Sequence, residues 1–156
     1  RRAVDSAGPE DGDAPGAFAV FLHAVRQDAS GAKAMYERAV RADMDHANNL
    51  SNFGLFLADC LHDYARAEEM YKAALVAEPD HANALYNYGV LLDSALGRRS
   101  DAEMRYRQVL ETQPKHAFAL YNLAVLKEEE AALGKGELMA PQAGGGPQRG
   151  AAASGA

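Results

Sequence analysis

The sequence predicts an all-α fold: an α-solenoid of stacked antiparallel helix pairs, about three repeats long, closed by a C-terminal capping helix. Three observations lead there. One stretch recurs at a fixed spacing: Asp80-His81-Ala82-Asn83-Ala84-Leu85-Tyr86-Asn87-Tyr88-Gly89 has a near copy 35 residues earlier, from Asp45 to Gly54, and another 35 residues later, from Lys115 to Ala124. A period of this size signals a row of one supersecondary unit, each unit too small to bury its apolar face alone. Each unit carries two apolar stripes at helical spacing. No segment alternates apolar and polar residues between turn signals, so no sheet is expected.

Residues 1–14 hold Gly, Pro and acids with few apolar side chains, and are expected to be a disordered tail. The solenoid is expected over 15–132, in repeats of about 15–45, 46–80 and 81–115, with the capping helix at 116–132. The helices are predicted at 16–28, 31–43, 46–60, 65–77, 81–96, 100–112 and 116–132. The first is degenerate, because Pro15 stands where Leu50 and Leu85 stand later and Ala19 replaces Gly54. First helices of the next units carry Leu50, Phe53, Gly54 and Leu57, then Leu85, Tyr88, Gly89 and Leu92, at i, i+3, i+4, i+7. Second helices carry Ala32, Tyr36, Ala39 and Val40, then Ala67, Tyr71, Ala74 and Leu75, then Ala102, Tyr106, Val109 and Leu110.

Punctuation fits the same reading. Ser100 and Glu103 have capping-box spacing at the start of one second helix. Pro79 and Pro114 end second helices, since proline cannot continue the hydrogen-bond ladder. Asp80 then stands where the next helix needs an N-cap. In the last unit Lys127 replaces Leu57 and Leu92, and Glu128-Glu129-Glu130 follow. A polar outward stripe is what a terminal helix needs. Pro141 falls where Tyr71 and Tyr106 fall, so 133–156, rich in Gly, Ala and Pro, is expected to be a second disordered tail.

Composition narrows the function. Net charge is −6, which argues against a nucleic-acid partner because phosphate binding needs clustered Lys and Arg. No apolar run approaches the roughly 20 residues of a membrane helix. Cys60 is the single cysteine, so no internal disulfide forms, and a cytoplasmic location is the expectation. The sequence begins at Arg1, and a fragment or processed product is expected. No phosphate-binding loop or nucleophile elbow is present, since Gly134-Lys135 lacks the glycine and the Ser or Thr around it. Cys60 and His62 read as a helix-end filler and a turn residue. His46, His81 and His116 recur periodically, but stacked helices sit about 8–10 Å apart, too far for zinc, whose ligands lie about 2 Å from one centre. No catalytic residue, metal or cofactor is expected, and the chain is not expected to be an enzyme.

Asn52, Asn87 and Asn122 are the most informative set. Asparagine is a poor mid-helix residue, because its amide competes for backbone partners. Here it recurs at one helical position three times, with Asn48 and Asn83 four residues earlier. Two roles are open. The amides can hydrogen-bond between neighbouring first helices and fix their stacking. They can also line a concave groove and pair with a peptide backbone, since an amide both donates and accepts. A rise of about 10 Å per unit matches about three residues of extended chain. Tyr86 and Tyr121 lie on the same face, as apolar surfaces with a polar tip.

Leu85, Tyr88-Gly89, Leu92, Gly97, Ala102, Tyr106 and Pro114 in one unit, with Leu50, Phe53-Gly54, Leu57, Tyr64, Ala67, Tyr71, Ala74 and Pro79 in the other, resemble the tetratricopeptide repeat family over roughly 15–132. The small residues Gly54, Gly89, Ala67 and Ala102 let helices approach closely. The unit here is one residue longer than the family's usual 34, and the extra residue fits between Leu57 and His62 and between Leu92 and Gly97. The resemblance implies a right-handed superhelix and a protein or peptide partner. The asparagine row looks like the one in O-linked N-acetylglucosamine transferases, where it holds extended peptide; that family's catalytic domain has no counterpart in this chain. No Lys or Arg accompanies the asparagines, which argues against the family's clamp for a terminal carboxylate. The expected function is a non-catalytic interaction scaffold that binds extended peptide through Asn48, Asn52, Asn83, Tyr86, Asn87, Tyr121 and Asn122. The alternatives are a structural or self-associating module, or the substrate-recognition arm of a larger enzyme such as a glycosyltransferase.

Overall fold

The computed structural model describes residues 16, 19, 20 and 28–136. Within residues 28–136 are six helices: α1 Ala29–Ala42, α2 Ala47–Asp59, α3 Tyr64–Ala77, α4 Ala82–Ser94, α5 Arg99–Thr112 and α6 Ala117–Gly134. The described residues contain no strand. The helix expected at 16–28 and both tails lie largely or wholly outside the described residues. Helices α2 with α3, and α4 with α5, form the closest pairs; α1 packs on α2, α3 on α4 and α5 on α6. First helices α2 and α4 also touch directly. Neighbouring pairs therefore stack, and one apolar core runs through the array.

Tyrosines on the second helices make that core. Tyr36, Tyr71 and Tyr106 are at most 2 % exposed. Tyr36 stacks on Phe53 at 5.5 Å, Tyr71 on Tyr88 at 5.9 Å, and Tyr106 lies 6.0 Å from Tyr86. Two of these rings also rest on glycines of their own pair. A Cβ added at Gly54 would lie 2.8 Å from Tyr71 Cε1, and one at Gly89 only 2.6 Å from Tyr106 Cε1. Glycine is required at both because the ring occupies the space of a side chain.

The helix caps correct the sequence reading in two places. Asp80 is not the N-cap of α4. His81 is, and its Nδ1 accepts from Ala84 N–H at 3.1 Å. His116 Nδ1 accepts from Ala119 N–H at 3.1 Å, and His46 Nδ1 accepts from Asn49 N–H at 3.4 Å. An imidazole acceptor one residue further on satisfies the orphan donor that the aspartate was expected to meet. The capping box at Ser100 and Glu103 does not form either. Helix α5 already starts at Arg99, its N-cap Arg98 makes no side-chain cap bond, and Glu103 instead binds Arg107 and Lys127. Second helices α1 and α3 are capped by Asp28 and Asp63.

Cys60 ends α2 and is exposed, so it is not a filler. Two residues on, His62 has φ +52°, and Gly97 at the corresponding turn after α4 has φ +64°. Both turns close with the same long bond, Asp63 N–H to Leu57 O at 2.9 Å and Arg98 N–H to Leu92 O at 2.7 Å, as in a left-handed helix stop. Histidine pays about 1 kcal/mol to sit there and glycine does not. His62→Gly is therefore expected to raise the thermal midpoint by several degrees, read by circular dichroism; an unchanged or lower midpoint would show that the His62 Nδ1 contact to Ala58 O, at 3.2 Å, outweighs the strain.

Candidate peptide-binding face

The residues expected to bind peptide all lie on the first helices α2, α4 and α6, but the packing divides them into two groups. Asn48 is exposed, and Asn52 and Asn83 are half-buried. Tyr121 is 60 % exposed. The others are covered: Asn87 is 2 % exposed, and Asn122 and Tyr86 are fully buried. The expected row of evenly presented amides is thus corrected. Only Asn52 of Asn52, Asn87 and Asn122 reaches solvent to any degree.

The covering has a local cause. Tyr86 is overlaid by the start of the next unit, with its ring 5.1 Å from His116 and 6.1 Å from Phe118. Its hydroxyl accepts from Asn122 Nδ2 at 3.3 Å, and Asn122 Nδ2 also donates to Tyr106 Oη at 3.3 Å. One amide thereby ties α6 to both helices of the preceding pair. Asn122 Oδ1 is buried with no hydrogen-bond partner. Burial pushes the Tyr86 hydroxyl above its ordinary pKa, so it stays a neutral hydroxyl that can accept this bond. Asn122→Ala is expected to cost about 1–3 kcal/mol by leaving two buried hydroxyls short of a donor, measurable by urea denaturation. A loss below about 0.5 kcal/mol would deny the amide its stacking role.

Asn48 is also engaged. Its Oδ1 accepts from His81 Nε2 at 2.8 Å. Since His81 Nδ1 accepts a backbone N–H, the proton must sit on Nε2. A side chain of one unit thus holds the helix cap of the next. The sequence reading places these histidines at the turn between units but does not make them caps. Their signal was present in the sequence: the same residue stands immediately before Ala47, Ala82 and Ala117, where each first helix begins.

The second-helix side is charged and internally paired. Glu68 accepts from Tyr88 Oη at 2.7 Å and meets Arg98 at 2.8 Å and Lys72 at 3.0 Å. These contacts, the Tyr88 hydrogen bond first, hold its carboxyl down at about 2. A depressed carboxylate stabilises the fold fully above the unfolded value near 4.5, and that stabilisation is lost as pH falls from there through about 2. Tyr88→Phe is expected to raise the Glu68 titration midpoint and make acid unfolding begin at higher pH, both readable by NMR. An unmoved midpoint would deny Tyr88 this role. Arg66 and Arg105 lie over the rings of Phe53 and Tyr88, 5.6 and 5.2 Å from the centroids. No cluster of three or more His, Cys, Asp or Glu able to hold a metal occurs among the described residues. None of the helices in that region is long and apolar enough to cross a membrane.

No protein-family model and no curated protein matches the chain. Solved structures do. The crystal structure of MamA superposes with a TM-score of 0.71 at 18 % identity, over 87 % of this chain and 77 % of MamA. The fold is similar to that of MamA. The fold is a tetratricopeptide-like stack of helix pairs, and at this identity the likeness to MamA speaks for architecture alone.

Proposed function

We propose that the chain is a non-catalytic protein-interaction scaffold that binds an extended peptide along the face of its first helices. The observation that carries this reading is the side-by-side packing of α2 and α4 with Asn48, Asn52 and Asn83 still reaching solvent. Equivalent amides on adjacent helices, about 10 Å apart, suit a backbone read every third residue. Tyr121, 60 % exposed, adds an aromatic contact at one end. Asn87, Asn122 and Tyr86 support the face from beneath. The 35-residue unit repeats these positions in register, as the sequence period requires.

Selection of a peptide from a random library displayed on phage, with the full chain as bait, supplies a ligand. The triple variant Asn48→Ala, Asn52→Ala, Asn83→Ala is then expected to weaken that peptide at least about tenfold, or 1.4 kcal/mol, by calorimetry. Its urea midpoint reports separately on the Asn48–His81 bond. Unchanged affinity in the triple variant would reject the reading.

A further inference from the structure

The first and second helices are capped by different chemistry. On α2, α4 and α6 the cap is an imidazole: Nδ1 of His46, His81 and His116 accepts from the N–H of Asn49, Ala84 and Ala119 at 3.4, 3.1 and 3.1 Å. On α1 and α3 it is a carboxylate: Asp28 and Asp63 accept from Gly31 and Arg66 N–H at 2.9 and 3.2 Å. A carboxylate remains an acceptor down to about pH 4, whereas an imidazole ordinarily takes its second proton near about pH 6.5. Once Nδ1 carries a proton, both ring nitrogens are donors. The cap N–H then faces another N–H, and a positive ring at a helix N-terminus opposes the helix dipole.

The same rings sit at the junctions between units. His81 Nε2 donates to Asn48 Oδ1 of α2 at 2.8 Å, and the His116 ring lies 5.1 Å from Tyr86 of α4. The Asn48 bond survives protonation, because Nε2 keeps its hydrogen; the cap bond does not. Little charge faces the rings. Helices α2 and α4 each carry one charged residue, Asp59 and Asp93, at the opposite end, and α6 carries none before Lys127. Tyr86 is the titratable group against His116, and burial keeps its hydroxyl neutral. The second helices that run into these turns end on Arg41, Glu78 and Glu111. The turns themselves add Asp43, Asp45, Asp80 and Lys115. All of these are exposed. Each is also close to its histidine in sequence, so it acts on the ring in the folded and the unfolded chain alike and leaves the difference to the cap.

We propose that the three histidine caps are an acid-sensitive device: in mildly acidic solution His46, His81 and His116 release the first turns of α2, α4 and α6 together, while α1 and α3 keep their aspartate caps. The stabilisation is fully present above about pH 6.5 and is lost as pH falls below it, since an unfolded chain binds more protons than a capped one. The Glu68 contacts do not enter this window, because they weaken only below about 4.5. At the last junction the loosened turn carries His116 and Phe118, which cover Tyr86, so acid uncovers that tyrosine. The device does not depend on the peptide-binding reading.

Urea unfolding of the full chain at about pH 8 and about pH 5.5 is compared with that of the variant His46→Asn, His81→Asn, His116→Asn, in which an amide oxygen caps at either pH. His23 and His62 are present in both chains and cancel. Between the two pH values the folding equilibrium constant of the unmodified chain is expected to fall at least about tenfold further than that of the variant. A second measurement needs no variant. Hydrogen exchange of the unmodified chain by NMR, corrected for the intrinsic rate at each pH, is expected to show Ala84 and Ala119 losing at least about threefold in protection, while Gly31 and Arg66 hold theirs. The proposal is overturned if chain and variant respond equally to pH, or if Ala84 and Ala119 hold their protection as Gly31 and Arg66 do.

Discussion

Replacing Gly89 with valine is expected to destabilise the second described pair by about 2–3 kcal/mol. The Cβ would enter space held by Tyr106, whose Cε1 and Cδ1 atoms lie 2.6 and 2.9 Å from it. That ring has no room to retreat: it is fully buried, faces Tyr86 on one side and receives Asn122 at its hydroxyl. Overpacking of a filled core costs about 1–3 kcal/mol. The gain in helix propensity on leaving glycine offsets less than 1 kcal/mol of this for a β-branched residue. Urea denaturation decides the matter, and a loss under about 1 kcal/mol would mean that α4 and α5 can slide apart at little cost. Gly54→Val is expected to follow with a slightly smaller loss, since a Cβ there would lie 2.8 Å from Tyr71.

Tyr106→Ala is expected to cost still more, about 3–5 kcal/mol, the usual range for truncating a buried aromatic side chain. It opens a cavity above Gly89 and removes one of the two hydroxyls that hold Asn122. Two further readouts separate this mechanism from a general loss of stability. In the double variant Gly89→Val, Tyr106→Ala the valine grows into the vacated space, so the two losses fall short of additivity by at least about 1 kcal/mol. Because each unit of a stacked array touches only its neighbours, hydrogen exchange is expected to accelerate in α4, α5 and α6 while α1 and the α2–α3 pair keep most of their protection. Strict additivity, or equal acceleration throughout, would contradict the arrangement.

Much of this architecture was legible in the residues. Repetition gave the units, and a period of 3.6 within them gave the helices, with boundaries that fall within two residues of those predicted for the six described helices from 31 to 132. Close approach of helices at Gly54 and Gly89 followed from the recurring small residues, whereas the tyrosine rings that fill the space there did not. Caps were less legible, because aspartate, serine and histidine next to one another all offer acceptors, and only the backbone geometry of the turn selects His81 over Asp80. The site was legible as a set of positions and illegible as a surface. Asn52, Asn87 and Asn122 are equivalent in sequence, yet each meets a different neighbour: the last is bound by Tyr86 and Tyr106, whereas Asn52 remains half-exposed.

The sequence by itself determined that the chain is helical, where its units begin, and which residues face the core, since these depend on local periodicity and on residue size. Tertiary structure alone decided which polar side chains stay in contact with water. Burial of a residue such as Tyr86 is set by what the following unit lays over it, His116 and Phe118, and exposure of Leu120 by the lack of a helix over it among the described residues. The physical reason is that in a stacked array the environment of each position belongs to the neighbouring unit, and equal residues in equal places acquire different surroundings as soon as the neighbours differ.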